Sequence, residues 1–503
     1  MKKLIREKGI TLVALVITIV ILIILATVTI NAVFGENGLI RKAQQAKEIQ
    51  EQATKNEEEG MNTLLGEFAE AMGELAVAPK LSDGMVPVKW NGSNWVKTTA
   101  EDKEWYNYGN KQWANVVLTP TSGEKEGKDA TGETDVFNED GTLNEDSAYS
   151  MLVWIPRYAY QITSGYHQSG AEINPSDATT GAGNINIVFI DTENKNLSGT
   201  KRYSEIYPSY ETGTGMYGVA EEGCEAGYVV HPAFNFGEEK LAGFWVGKYE
   251  TSNTNCTTDV ESGQVAYTGN ETVTIKANVT SWRNINISNM FTTCINLNKS
   301  GNSYGLNTSD DVVDPHMMKN IEWGAIAYLS QNSKYGKGTE VEKNDNSSYI
   351  TADGDYKINI NQSTTGNVWG IYDMNGGEYE YVAAYVNNGH DNLIIYGEEL
   401  VNADEKYKDV YQASATDGIS DTQAENYILS TPEKGKYGDA VYETSDNYKY
   451  DNSWNSDYSS FPYLNKSFFT RGGHINSFFS GMFYFYSSEV DGGGSFRLVL
   501  PVI

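Results

Sequence analysis

The stretch Gly366-Asn-Val-Trp-Gly370-Ile-Tyr-Asp373-Met-Asn-Gly-Gly377-Glu-Tyr-Glu380-Tyr-Val382 decides how the second half of this chain is read. It belongs to an ordered set of motifs that begins after Ala242. Gly243-Phe-Trp-Val-Gly-Lys-Tyr-Glu250-Thr-Ser252 opens the set, and Ser281-Trp282-Arg283 follows. Met318-Lys-Asn-Ile-Glu322-Trp323-Gly-Ala-Ile-Ala-Tyr328 reads as the one good helix of the region. Arg471-Gly472-Gly473 and Ser495-Phe496-Arg497 close the set. Glu322, Glu378 and Glu380 stand beside Trp or Tyr. A carboxylate so placed reads as the buried partner of a backbone amide or an arginine rather than as a general acid.

In this order the motifs resemble the formylglycine-generating enzyme (sulfatase-modifying factor) family, over residues 242–503. The resemblance implies a C-type-lectin-like fold there. The expected class is α+β: a leader over 1–9, a membrane and stalk helix over 10–76, a β-rich spacer over 77–241 and the lectin-like domain over 242–503. Oxidases of the family work through a cysteine pair between their Arg-Gly-Gly and Phe-Arg motifs, whose thiolates bind copper and form the mixed disulfide. Thr470–Val502 holds no cysteine, and Cys256 and Cys294 lie far upstream. Without a thiolate site the oxidative chemistry has no carrier, so no catalytic residue and no cofactor are expected. The rival reading is a divergent oxidase of this type or another exported enzyme. His474 lies near Arg471, but no Ser or Cys nucleophile is placed with an acidic orienter. Family members often carry structural calcium, for which Asp310-Asp311 and Asp353-Gly354-Asp355 are the acidic loops. Neither has EF-hand spacing, and solvated turns are the favoured reading.

After Gly473 the chain reads His-Ile-Asn-Ser-Phe-Phe-Ser-Gly-Met-Phe-Tyr-Phe-Tyr-Ser-Ser-Glu-Val-Asp-Gly-Gly-Gly-Ser. Lectin-like folds of this kind also serve as variable proteins of diversity-generating retroelements, which randomise adenines in Asn codons. Such codons cannot yield Lys, Gln, Glu, Met or Trp, and only Met482 and Glu489 break that rule here. Aromatic rings bring contact area at low entropic cost, and Ser, Asn and Gly bring adaptable hydrogen bonds, as in antibody paratopes. Ligand contact is expected on His474, Asn476, Ser477, Phe478, Phe479, Tyr484, Tyr486 and Ser488, with an unknown protein or glycan as the ligand. The competing reading makes Met482–Tyr486 a core strand and Gly492–Gly494 a turn.

The amino terminus carries the strongest local signal. A basic segment ending in Lys8-Gly9 runs into Ile10–Phe34, which holds no charged residue and is long enough to cross a bilayer. Cations before it place Met1 in the cytoplasm and the rest outside. The apolar core exceeds that of a signal peptide, which leaves a plain signal anchor as the competitor. The junction Lys8-Gly9-Ile10-Thr11-Leu12 resembles the leader of type IV prepilins, which implies cleavage by prepilin peptidase between Gly9 and Ile10. It also implies pilus or pseudopilus subunits as partners, with a structural minor pseudopilin as a further alternative. Pilins carry Glu at the fifth mature position; Ala14 stands there, which puts incorporation into a fibre shaft in doubt. Residues 39–76 continue an apolar stripe (Leu39, Ala43, Ala46, Ile49, then Met61, Leu64, Leu65, Phe68) that predicts an amphipathic stalk. The expected location is a bacterial cell membrane, single-pass, with the C-terminal part at the cell surface.

Composition bounds the rest. The 503 residues hold 37 Lys+Arg against 67 Asp+Glu, a net charge of −30, which argues against nucleic acid as a partner. With 12% aromatic residues, 34 Tyr and 49 Gly, the chain is a folding one with β-structure and many turns. Cys224, Cys256 and Cys294 allow at most one disulfide, and the five histidines are scattered without metal-ligand spacing. Residues 80–240 alternate short aromatic runs with turn clusters, which predicts strands. Residues 121–149 and 165–215 read as long exposed loops. Gly213-Thr-Gly215-Met-Tyr-Gly218 matches a dinucleotide pattern but follows no apolar strand, so it reads as a turn.

Overall fold

A computed structural model of the chain describes residues 16–23, 25, 78–165, 182–207, 221–256, 272–307, 312–413, 436–445, 451–488 and 494–503. Met1–Gly73 and Glu74–Ile503 are separate compact units. Residues 16–23 are helical; the leader with Gly9 and Ile10, most of the apolar segment, and the stalk over 39–76 lie outside the described residues. Among the described residues no helix is long and apolar enough to cross a membrane.

The second unit mixes α and β, with many strands and few helices. In chain order its main elements are β1 (Met85–Trp90), β2 (Trp95–Lys97), β3 (Asn115–Leu118), β4 (Ser150–Pro156), β5 (Tyr158–Ile162), β6 (Ile185–Phe189), β7 (Val229–Val230) and β8 (Gly243–Gly247). Then come α1 (Ile287–Ile295), β9 (His316–Met317), α2 (Asn320–Gln331), β10 (Glu380–Asn387), α3 (Asn392–Asn402) and β11 (Asp409–Gln412). Last are β12 (Phe468–Arg471), β13 (Phe485–Ser488), β14 (Ser495–Phe496) and β15 (Leu498–Pro501).

The central strand explains the architecture. β4 reads Ser-Met-Leu-Val-Trp-Ile-Pro, and every residue in it is buried. A run without polar alternation needs cover on both faces and a hydrogen-bonding neighbour on each side. β3 lies on one side, with Val117 opposite Met151, and β8 on the other, with Trp245 opposite Trp154. The antiparallel sheet then runs β9-β15-β8-β4-β3-β1-β2. The expected boundary between a spacer over 77–241 and a domain over 242–503 therefore falls inside one sheet, and Glu74–Ile503 is a single unit. The second partner of β4 comes from beyond the expected boundary at 241/242.

A second sheet has the order β11-β10-β12-β13, with β14 also paired to β10. Glu380 stands opposite Arg471 on one side of β10 and beside Ser495 on the other. β5, β6 and β7 form a third sheet, so the expected loop over 165–215 contains a strand. The segment over 121–149 is no simple exposed loop either. Ala130, Val136, Leu143 and Tyr149 are buried, and the Asp129 carboxylate organises the turns by accepting from Thr131 Oγ1 at 2.6 Å and the Ala148 amide at 2.8 Å.

The expected helix is α2, two residues later than read. Ile321 through Ser330 are all buried, as suits a helix apolar on every face. Glu322 caps it by accepting the Lys319 amide at 2.8 Å. A Cβ on Gly324 would stand 1.8 Å from the Gly438 carbonyl oxygen, so only glycine lets that loop lie on the helix. α1 and α3 were not expected. α1 has a readable start, since the Asn286 side chain accepts the Asn289 amide at 2.9 Å.

Beside α2 lies Glu443, fully buried, which accepts from the Tyr160 and Tyr328 hydroxyls and from the Gly438 amide at 2.7 Å. Burial pushes its carboxyl from 4.5 up to about 7. A carboxyl raised on folding stabilises the fold fully below its unfolded value and ceases to as pH climbs through the folded one. Thermal unfolding followed across that window should therefore show stability falling between pH 4.5 and 7, by up to roughly 3 kcal/mol from this group. The slope should flatten in Glu443→Gln. An unchanged slope in that variant would assign the pH dependence elsewhere.

Candidate ligand-binding groove

β12 and β13 are neighbouring antiparallel strands, and the chain between them forms one wall of an open groove. Gly472 and Gly473 turn the chain out of β12 at φ +75° and +77°. A Cβ on Gly473 would meet that of Ser480 at 2.6 Å, because the two limbs of the loop touch. The groove has a volume of about 390 Å³ and is lined by Tyr379, Tyr458, Asn476, Ser477, Phe478, Phe479, Tyr484 and Tyr486. No lining side chain carries a formal charge at neutral pH.

The four tyrosines form a contiguous platform. Tyr379 lies 6.2 Å from both Tyr484 and Tyr486, and Tyr458 lies 5.9 and 5.8 Å from the same two rings. On the rim Phe478 is 85% exposed and Phe479 52%, and Phe479 sits at φ +58°. A bulky residue in that region costs about 1–2 kcal/mol. The Phe479 carbonyl accepts the Tyr458 amide at 2.9 Å, which holds it there.

The loop is secured by its backbone, and the securing groups come from elsewhere. Lys343 Nζ donates to the Ser477 carbonyl at 3.0 Å, and the Ile475 amide donates to the Gly377 carbonyl at 3.2 Å. Trp323 Nε1 donates to the Met482 carbonyl at 2.8 Å. The Met482 and Phe483 amides reach Glu340 and Asp457 at 3.2 and 2.8 Å.

Six of the eight expected contact residues thus line one groove. His474 and Ser488 do not. His474 stacks on Tyr379 at 4.9 Å and accepts the Asn476 amide on Nδ1 at 3.0 Å, so it shapes the loop from behind. Burial, with Arg283 and Lys343 nearby, holds its imidazole below the usual 6.5 against the opposing pull of Glu378. Ser488 Oγ accepts from the Tyr381 hydroxyl at 2.9 Å, away from the groove. Tyr484 is only 3% exposed, and Met482, Phe483 and Phe485 are core. Met482–Phe485 are thus buried, as the competing reading has it, but of these only Phe485 lies in a strand; Tyr484 lines the groove from below, together with Asn476–Phe479 and Tyr486. Tyr379 and Tyr458 were missed. Tyr379 lies within the Gly377-Glu-Tyr-Glu380 motif, read for its acids; Tyr458 carries no local signal.

Those acids are all buried and paired. Glu322 meets His316 Nε2 at 3.0 Å; burial opposes its ionisation, but Lys319 and His316 outweigh that and hold it down to about 2. Glu378 bonds Arg283, and Glu380 accepts Arg497 Nε at 2.9 Å. Cys224, Cys256 and Cys294 are free thiols, and Cys294 is buried on α1. Asp353 and Asp355 serve local turns, accepting from Asn346 Nδ2 and the Lys357 amide at 2.9 Å each. Among the described residues no cluster of three His, Cys, Asp or Glu is placed to hold a metal ion; Asp310, Asp311 and the segment Gly213–Gly218 lie outside them. No family model matches the chain, and no curated protein does either.

If the rim belongs to the ligand rather than to the fold, truncation should separate the two. Phe478→Ala and Phe479→Ala should change unfolding stability by less than about 1 kcal/mol. Phe483→Ala, a core truncation, should cost about 3–5 kcal/mol. Chemical denaturation of the three variants measures both, and a large loss at Phe478 would show that the rim serves the fold.

Proposed function

We propose that this chain is a cell-surface binding protein of a bacterial membrane. In it a prepilin-like N-terminus, cut by prepilin peptidase between Gly9 and Ile10, anchors a non-catalytic head of the C-type-lectin-like, sulfatase-modifying-factor type. The carrying observation is the groove. Uncharged aromatic and amide side chains converge there from a loop whose backbone is pinned by residues outside it. Such a loop exchanges side chains at Asn476, Phe478, Phe479 and Tyr486 without disturbing its own supports, which suits a diversified recognition surface. The motif residues support the head assignment in a different way. Arg497 from the last motif reaches the Gly247 carbonyl of the first at 2.8 Å and the Tyr372 carbonyl of the fourth at 3.1 Å. Motifs ordered along the chain thus meet in one buried network, as the parts of a common scaffold would.

The contact chemistry is that of a protein or neutral glycan ligand, since the groove offers ring faces, hydroxyls and amides but no charge. Two measurements address the proposal. Sequencing the region for residues 463–503 in many cells of one clonal culture should show adenine-templated changes confined to 474–490; an invariant region removes diversification and leaves a fixed adhesin. Glycan and protein arrays probed with the wild type and with a variant carrying Ser at 476, 478, 479 and 486 should show binding reduced at least about tenfold, or 1.4 kcal/mol, with the fold retained. Ligands bound equally by both would place recognition elsewhere on the molecule.

A further inference from the structure

Beneath the groove two carboxyl groups from different segments grip consecutive peptide groups. Glu340 Oε1 accepts the Met482 amide at 3.2 Å and the Val341 amide at 3.1 Å, and its Oε2 accepts from Asn455 Nδ2 at 2.7 Å. Asp457 Oδ2 accepts the next amide, Phe483, at 2.8 Å. A Cβ on Gly481 would stand 2.2 Å from either Asp457 oxygen. Adjacent amides therefore draw two acids together under the tyrosine platform.

The charged groups facing them do not neutralise the pair. Lys337 spends Nζ on the Glu340 and Asn361 carbonyls, at 2.8 Å each. Arg471, from β12, donates to Asn320 Oδ1 and to the carbonyls of Asp439, Ala440 and Met482. Lys343 is held by the Ser477 carbonyl, and Asp439 lies beyond Arg471. Burial lifts Glu340 to about 7, and burial together with the Glu340 charge raises Asp457 far above the usual carboxylate range. Tyr484, the next residue, is kept protonated by burial. Burial, with Arg283 and Lys343, lowers the His474 imidazole from its usual value against the pull of Glu378.

We propose that Glu340 and Asp457 form a pH-operated latch on the groove. With at least one of them protonated, they clamp Met482–Tyr484 and keep the platform in shape; when both ionise, their repulsion lets that segment loosen. The latch rests on reading the groove as the ligand site, and it sets the surroundings in which binding is strong: mildly acidic to neutral rather than alkaline.

Hydrogen exchange of the Met482, Phe483 and Tyr484 amides in the full chain tests it without any ligand. After correction for intrinsic exchange, protection there should fall about tenfold between pH 6 and pH 8.5, while that of β12 holds. Glu340→Gln keeps the acceptor oxygen but cannot ionise, so the fall should vanish. Asp457→Asn provides the same reading should the first variant misfold by circular dichroism. Equal protection at both pH values in the wild type, or an undiminished fall in the folded variants, overturns the latch. Either result leaves ligand binding by the groove untouched, and a groove that binds nothing on the arrays leaves the exchange measurement valid.

Discussion

The buried guanidinium of Arg497 is the constraint on which the rest of the structure depends. It stands between β14 of one sheet and β15 of the other, and it bonds the Glu380 carboxylate of β10 together with the carbonyls of Gly247 and Tyr372. An ion pair removed from water yields little net stability, because desolvation consumes most of the attraction, but breaking one half of it is costly. Its bonds thus join the two sheets at one buried point. Glu250 and Asp373 lie close by, their carboxyls raised by burial first and by neighbouring acids second in the case of Glu250. The cluster holds more acids than cations. Burial there favours the protonated form of the carboxyls.

Lys248 is a second buried cation, with no ion-pair partner among the described residues. Its ammonium is fully buried and donates to Asn115 Oδ1, the Val368 carbonyl and the Gly370 carbonyl, at 3.0, 2.7 and 2.7 Å. It also lies over the Trp95 ring at 4.9 Å. Burial alone drives its ionisation far below the ordinary lysine value. Three oxygens from two distant parts of the chain are thereby held at one point, and the strands of 85–118 are locked to the motif around Trp369. Satisfied polar networks of this kind define a unique core because any other packing leaves donors unpaired.

That rigidity reaches the groove through peptide groups. Glu340, Lys343, Trp323 and Asp457 act on carbonyls and amides of the loop. The loop conformation therefore depends little on its exposed side chains, and Phe479 is kept in a strained conformation that a free loop would abandon. Preorganised aromatic groups lose less entropy on binding, which is where affinity at such surfaces originates.

Local patterning in the sequence was enough for much of this. The strands within 80–240, the helix around Trp323, and the buried and paired roles of Glu322, Glu378 and Glu380 all follow from residue type and spacing. Tertiary structure alone decided which strands became neighbours. β4 takes β8 as its partner across the expected boundary at 241/242, and Tyr379 and Tyr458 reach the groove from segments that carry no signal for it. It also decided that Tyr484, though almost fully buried, lines the same groove as Tyr486. The physical reason is that a sequence writes the faces of each element locally, whereas strand pairing and ring packing are settled by burial among residues up to hundreds of positions apart.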